Sequence, residues 1–248
     1  MTSKRVPLLT LTIAALIISL SILSGICADI RGAIREATKG FKDITLTAKV
    51  IHGNQKELAK IGKDFARSYE VETTAIKYKA PDKMRVAGKL GMVGFAVVRN
   101  GFWKAYIVPA LHINKKTDCT KEPHQLQGDL DVGIVTEQLW RDFVIQDAHV
   151  EKSSNGDLYK ITFIRWNSKE KQLTCWVEAK GCKLLKLDKY ESDGSMKCRY
   201  IFSKHKEVGG VWVPLRVDVY NEDNKLAGTT EYSNIKVNSG IPDSEFKL

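Results

Sequence analysis

Apolar and polar residues alternate along most of this chain, and the alternation predicts strands. In "ITLTAKVIH", Ile44, Leu46, Ala48 and Val50 point one way, and Thr45, Thr47 and Lys49 the other. That is the pattern of a half-buried strand. From Glu72 onward such runs dominate. "TTAIKYKA" meets "KMRVAGKL" across "PDK", and "GFAVV" meets "FWKAYIV" across Asn100-Gly101, a strong hairpin signal. "LYKITFIRW", "LTCWVEA", "KLLKLDKYES", "KCRYIFSKH", "VWVPLRVDVY" and "GTTEYSNIKV" follow. Asn155-Gly156, Lys180-Gly181, Asp193-Gly194, Gly209-Gly210 and "NEDNK" supply turns between most of them. Strands at roughly ten-residue spacing joined by tight turns predict one large antiparallel sheet, a sandwich or a barrel.

Three stretches read differently. "DIRGAIREATKGF" sets Ile30, Ala33, Ile34 and Ala37 at spacings of three and four, with Asp29 to cap and Gly40 to stop a short amphipathic helix. In "QKELAKIGKDFARSYEVE", Leu58, Ile61 and Phe65 fit a helix that Gly62 interrupts. "LDVGIVTEQLWRDFVI" aligns Val132, Val135, Leu139 and Phe143 on one stripe, with Thr136 as cap. It predicts a helix resting on the sheet, over an open face or a barrel mouth. The polar "KKTDCTKEPHQLQGD" before it reads as a long linker.

The N-terminus departs from this pattern. Lys4 and Arg5 precede a run without charge from Val6 to Ala28, which reads as a secretory signal in residues 1–28. The run is also nearly long enough to span a bilayer as an uncleaved N-terminal anchor. Lipid attachment at Cys27 is disfavoured by Ile26, which is not small. Each of these readings exports residues 29–248 to the periplasm, either free or held at the inner membrane by residues 6–28.

The formal net charge is +10. Removing residues 1–28, which hold Lys4, Arg5 and no acid, lowers it by two. The basic residues are scattered among acids, which suits a solvated surface or mild attraction to anionic lipid. No aromatic-basic motif suggests nucleic acid. Cys119, Cys175, Cys182 and Cys198 would permit two disulfides outside the cytoplasm. With hairpins at Lys180-Gly181 and Asp193-Gly194, however, Ala179 faces Cys182, Cys175 faces Lys186 and Cys198 faces Lys189. No two cysteines then lie opposite, and none is predicted to pair.

Catalytic signals are lacking. There is no Gly-x-Ser-x-Gly elbow and no phosphate loop after a strand. The glycines at 88, 91 and 94 fall between strands and read as a bend. His112, Cys119 and His124 share one loop, but at no recognised zinc spacing. No enzyme, cofactor or metal is expected. Several strands look apolar on both faces, which suits a curved sheet with a core on one side and a cavity on the other.

Three segments then narrow the reading: "IKYKAPDKMRV", "VRNGFWKAYIVPALHINKK" and the closing "GGVWVPLRVDVYNEDNKLAGTTEYSNIKVNSGIPDSEFKL". Together they resemble the LolA-like outer-membrane lipoprotein-sorting proteins. The matching positions are Lys79, Pro81, Arg85, Gly101, Tyr106, Pro109, Asn238, Ile241, Asp243 and Phe246. The resemblance covers nearly all of residues 29–248. It implies a mainly β (α+β) fold, a curved antiparallel half-barrel of about eleven strands with helices covering the concave face. It further implies a carrier of lipoproteins or other acylated ligands, or an envelope-stress sensor of the RseB type that engages a membrane protein partner. Where the carrier has a latching arginine before the turn proline, this chain has Ala80, which cannot donate such hydrogen bonds.

Strand alternation assigns the acyl cavity to Leu46, Ala48, Val50, Ile76, Tyr78, Met84, Val86 and Trp103, with Leu139, Trp140 and Phe143 on the lid. A monomer is expected. The closing Pro242-Asp243 turn is expected to return Phe246 to an apolar edge of the half-barrel.

Overall fold

A computed structural model describes residues 29–122, 126–164 and 171–248. The signal or anchor in residues 1–28, Cys27 and His124 lie outside the described residues. Thirteen strands form one antiparallel sheet. They are β1 (Asp43–Gly53), β2 (Thr73–Lys79), β3 (Lys83–Leu90), β4 (Val93–Asn100), β5 (Trp103–Val108), β6 (Ile113–Asp118), β7 (Val144–Glu151), β8 (Leu158–Ile164), β9 (Lys171–Glu178), β10 (Lys183–Tyr190), β11 (Met196–Ser203), β14 (Arg216–Asn221) and β15 (Leu226–Val237). Their order is β6-β5-β4-β3-β2-β1-β15-β14-β11-β10-β9-β8-β7, curved and not closed. A separate ribbon pairs β12 (Lys206–Val208) with β13 (Val211–Val213).

The sheet is thus the expected half-barrel, with more strands than eleven. The additions are the two edges. β6 lies in what reads as linker, and all six of its residues are exposed, so burial imposes no alternation on it. The first residues of β7, Val144 and Ile145, sit at the end of the predicted 130–145 helix. "VWVPLRVDVY" divides at Pro214 into β13 and β14, because proline cannot donate to a ladder.

The helices cover one face. Residues 29–37 form α1, and α2 (Gln55–Ile61) and α3 (Lys63–Ser68) meet at Gly62. Asn54 caps α2, its Oδ1 accepting from the Glu57 amide at 3.3 Å. Ile30 and Ile34 of α1 and Leu58 and Ile61 of α2 join one core with Ile44, Leu46, Tyr78 and Met84. Each fully buried side chain of this size contributes about 1.5–3 kcal/mol of transfer free energy.

The predicted helix over 130–145 is not continuous. Residues Asp129–Val132 make one 3-10 turn and Leu139–Asp142 a single helical turn, α4. Gly133 breaks them with φ +78°, and a Cβ there would come within 2.4 Å of Pro214 Cγ. Only glycine suits both the left-handed backbone and the close approach. Asp129 then braces the loop. Its Oδ1 accepts from the Leu130 amide, and its Oδ2 from the Thr136 amide, both at 3.0 Å.

The C-terminal segment crosses the opposite, convex face. Ile241 and Phe246 pack with Ala96 and Val98 in a second core, and Phe246 is fully buried. Buried Asp43 anchors the start of this strap. Its carboxylate accepts from the Ser239 amide at 2.8 Å, Ser239 Oγ at 3.0 Å and the Gly240 amide at 3.1 Å. Lys79 donates to the Ile241 carbonyl at 2.9 Å and meets Asp243 at 2.7 Å, while Lys77 meets Glu245 at 2.9 Å.

Candidate functional site

Register fixes which side chains share the concave face. Ile44 pairs with Tyr78, Leu46 with Ile76, Tyr78 with Met84 and Ile76 with Val86, so these residues line up across three strands. Trp103 does not join them. It pairs with Asn100, whereas Met84 pairs with Arg99, and Arg99 with Lys104. Lys104 therefore shares the face of Met84, and Trp103 stands 45% exposed on the convex side. Both alternating sets of "FWKAYIV" contain apolar residues, so the pattern alone does not select a face.

The remaining predicted lining residues lie on the concave side in two groups. Leu46, Ala48, Ile76, Tyr78 and Met84 are buried, and Val86 is partly buried against the same core. Val50 is also half-buried. In the lid, Leu139 is buried, Trp140 packs edge-on against Phe163 at 6.5 Å, and Phe143 meets the same ring at 5.7 Å.

Space remains under the other half of the sheet. A cavity of about 240 Å³ has an apolar side made by Leu126, Leu130, Leu139, Phe143 and Leu173 and a polar side that includes Asp129, Asp131, Lys189, Glu191 and Lys197. A second, of about 90 Å³, lies among Phe65, Tyr69, Leu187, Tyr200, Val217 and Tyr232. Of the eleven predicted residues, Leu139 and Phe143 reach the larger cavity. Alternation in "LTCWVEA" and "KLLKLDKYES" could have suggested Leu173 and Leu187, which share the concave face with Cys175 and Phe163.

Three ion pairs tie the lid down. Lys189 Nζ meets Asp131 at 3.3 Å. Glu137 Oε1 accepts from Arg35 Nε at 2.8 Å and Arg31 Nε at 3.1 Å. Arg35, then Arg31, holds the Glu137 carboxyl below its ordinary pKa despite partial burial. The lid is thus tied by ion pairs to α1 and β10, whereas Ala80 has no side-chain donor to offer it. Its seat is imperfect, since the buried indole N–H of Trp140 has no partner among the described residues.

The four cysteines at 119, 175, 182 and 198 are free and buried. Cys198 pairs with Lys189 as the register predicts, but Cys175 pairs with Leu187, because a bulge between Leu184 and Lys186 shifts the ladder. Among the described residues no group of His, Cys, Asp and Glu is placed to hold a metal. No helix among them is long and apolar enough to cross a membrane.

Comparison with known structures shows the fold. The chain is similar to a domain from Vibrio parahaemolyticus named for outer membrane lipoprotein sorting, at 13% identity and TM-score 0.62, over 88% of this chain and 95% of that one. It is similar to a LolA superfamily protein from Nitrosomonas europaea at 14% identity and TM-score 0.59, over 89% and 97%. A DUF1329 family protein from Desulfovibrio piger aligns at 14% identity and TM-score 0.54, over 90% and 97%. A family model described as "-like: Uncharacterized protein" matches residues 139–248. No curated protein matches the chain in sequence. The fold is a LolA-like half-barrel, as the sequence resemblance implied.

Proposed function

We propose that this protein binds acyl chains of lipoproteins or lipids in the cell envelope and acts as a carrier rather than an enzyme. The observation that carries this reading is the 240 Å³ cavity beneath the lid. Leu130, Leu139 and Phe143 come from the lid segment and Leu173 from the sheet, so lid movement would enlarge the cavity without disturbing the strands. Ligand pockets for drug-sized molecules run from about 300 to 1,000 Å³, so the closed cavity suits a chain end and an opened one a longer segment. Each methylene buried would add about 0.8 kcal/mol.

The test is native mass spectrometry of full-length protein purified from membranes, followed by lipid extraction. An acyl species should co-purify with wild type and be depleted in Leu173→Trp, which fills the cavity. An empty wild type that also ignores added lipopeptide would overturn the reading.

A second reading, an interaction or sensor domain, rests on β6. This edge strand is exposed along its whole length, and an exposed edge can accept a strand from a partner. It predicts an empty cavity and a protein partner lost when proline replaces Lys115.

A further inference from the structure

A cleft of about 440 Å³ opens where α1, the turn at Ala80-Pro81 and the lid meet. Arg31, Arg35, Lys39 and Arg141 all line it, and Glu137 is the acid among its lining residues. Arg31 and Arg35 approach the single oxygen Oε1 of Glu137 through Nε. Their terminal guanidinium nitrogens make no hydrogen bond among the described residues, although the Arg31 guanidinium lies over the Trp140 ring, 5.9 Å from its centroid. Arg141 has no ion-pair partner among the described residues. Among the described residues Lys39 reaches only Glu36, at 3.3 Å, and both side chains are 74% exposed. The cleft therefore carries an excess of positive charge with unused donors. Phe41 and Pro81 add an apolar margin.

We propose that this cleft binds a phosphate group, and that the bound phosphate draws Arg31 and Arg35 away from Glu137 and so frees the lid. Guanidinium forks match phosphate oxygens in pairs. Glu137 offers them only a monoanion, in exposed pairs of the weak kind, whereas phosphate brings more acceptors to the same donors. Glu137 lies two residues before Leu139, which lines the inner cavity. Loss of the Glu137 tie would therefore loosen the wall of that cavity.

Two sources can supply the phosphate: an anionic phospholipid headgroup or the free ion. In the sequence, the uncharged run Val6–Ala28 leads directly into the α1 arginines, which favours the headgroup. The ligand of this cleft is independent of what the inner cavity holds.

The experiment uses the full-length chain in an uncharged detergent. It is titrated by calorimetry with dihexanoyl phosphatidylglycerol and, separately, with inorganic phosphate, each against chloride at equal ionic strength. Deuterium exchange of residues 134–143 is followed in parallel. At least one probe should bind saturably and raise exchange in the lid, and the tighter of the two names the source. Arg35→Gln with Arg141→Gln should weaken binding at least about tenfold. Lys115→Gln with Lys116→Gln, which removes the same charge from β6, should leave it unchanged. Glu137→Gln removes the internal competitor and should tighten it, a gain that a folding defect would not produce. Absence of saturable binding, equal loss in the β6 variant, or weaker binding in Glu137→Gln would each overturn the proposal.

Discussion

Lys189 of β10 and Asp131 of the lid meet at 3.3 Å, and both line the 240 Å³ and the 90 Å³ cavities. The pair stands between a space of mixed polarity, whose wall also holds Asp129, Glu191 and Lys197, and a mainly apolar one. Burial works against the Lys189 charge, but Asp131 together with the neighbouring cysteines holds the pKa above the ordinary lysine value. Lys189 therefore stays charged at neutral pH. Lys189→Met keeps the bulk of the stem and removes the ammonium. It should raise the affinity for a dansyl-labelled undecanoic acid on the order of fivefold, equivalent to about 1 kcal/mol. Unchanged affinity in a fluorescence titration would mean that the two spaces do not act together.

The C-terminal strap should matter to stability more than its terminal position suggests. Phe246 is fully buried against Ala96 and Val98. Phe246→Ala should cost about 3–5 kcal/mol in denaturant unfolding, as for other buried aromatics. Deleting residues 241–248 should cost at least as much, because it also uncovers the apolar patch on β4. A melting curve unchanged by the deletion would show that the strap is only docked and does not support the fold.

Acid should loosen the same strap. Lys79, then Lys83, lowers the pKa of Asp243 from 3.8 to about 2. A depressed folded-state pKa contributes stability above the unfolded value and loses it as pH falls through the folded value. The loss should therefore lie between about pH 4 and pH 2. Deuterium exchange of residues 239–248, compared after correction for intrinsic rates, should rise across that window relative to Asp243→Asn. A parallel profile in the variant would assign the change to another group.

The sequence disclosed the strands wherever burial enforced alternation. β1, β2 and β3 carry Leu46, Ile76 and Met84 in the expected phase because one face is core. It was silent at β6, where nothing is buried, and misleading at 130–145, where a helical stripe coexists with a glycine that only tertiary packing explains. The resemblance motif proved to mark structure more than ligand. Lys79, Arg85, Ile241, Asp243 and Phe246 converge on the convex strap, away from the cavities. Asn238, another motif position, joins the chain ends by accepting from the Lys42 amide at 2.8 Å and donating to the Gly40 carbonyl at 3.0 Å. The cleft had a legible trace in Arg31, Arg35 and Lys39, spaced by fours from α1 into the turn that follows it. Arg141 joins them only through the folded lid, which no local spacing reveals.

The cysteines provide a readout of the cavity wall. Burial pushes the Cys175 thiol well above its ordinary pKa, raises Cys182 to about 11, and also raises Cys198. At neutral pH these three are thiols, and the thiolate is the nucleophile. Cys175 and Cys198 lie on the concave face beside Leu187 and Lys189. All three should resist iodoacetamide in the native protein and react together on unfolding in guanidinium. Phe202 packs within 3.0 Å of the Cβ position at Gly133, so Gly133→Ala should displace the lid without removing a strand. In that variant Cys198 should become reactive under native conditions while Cys182 stays protected. Peptide mapping of the alkylated sites measures this. Simultaneous labelling of both cysteines would indicate global unfolding and would break the link between lid and cavity.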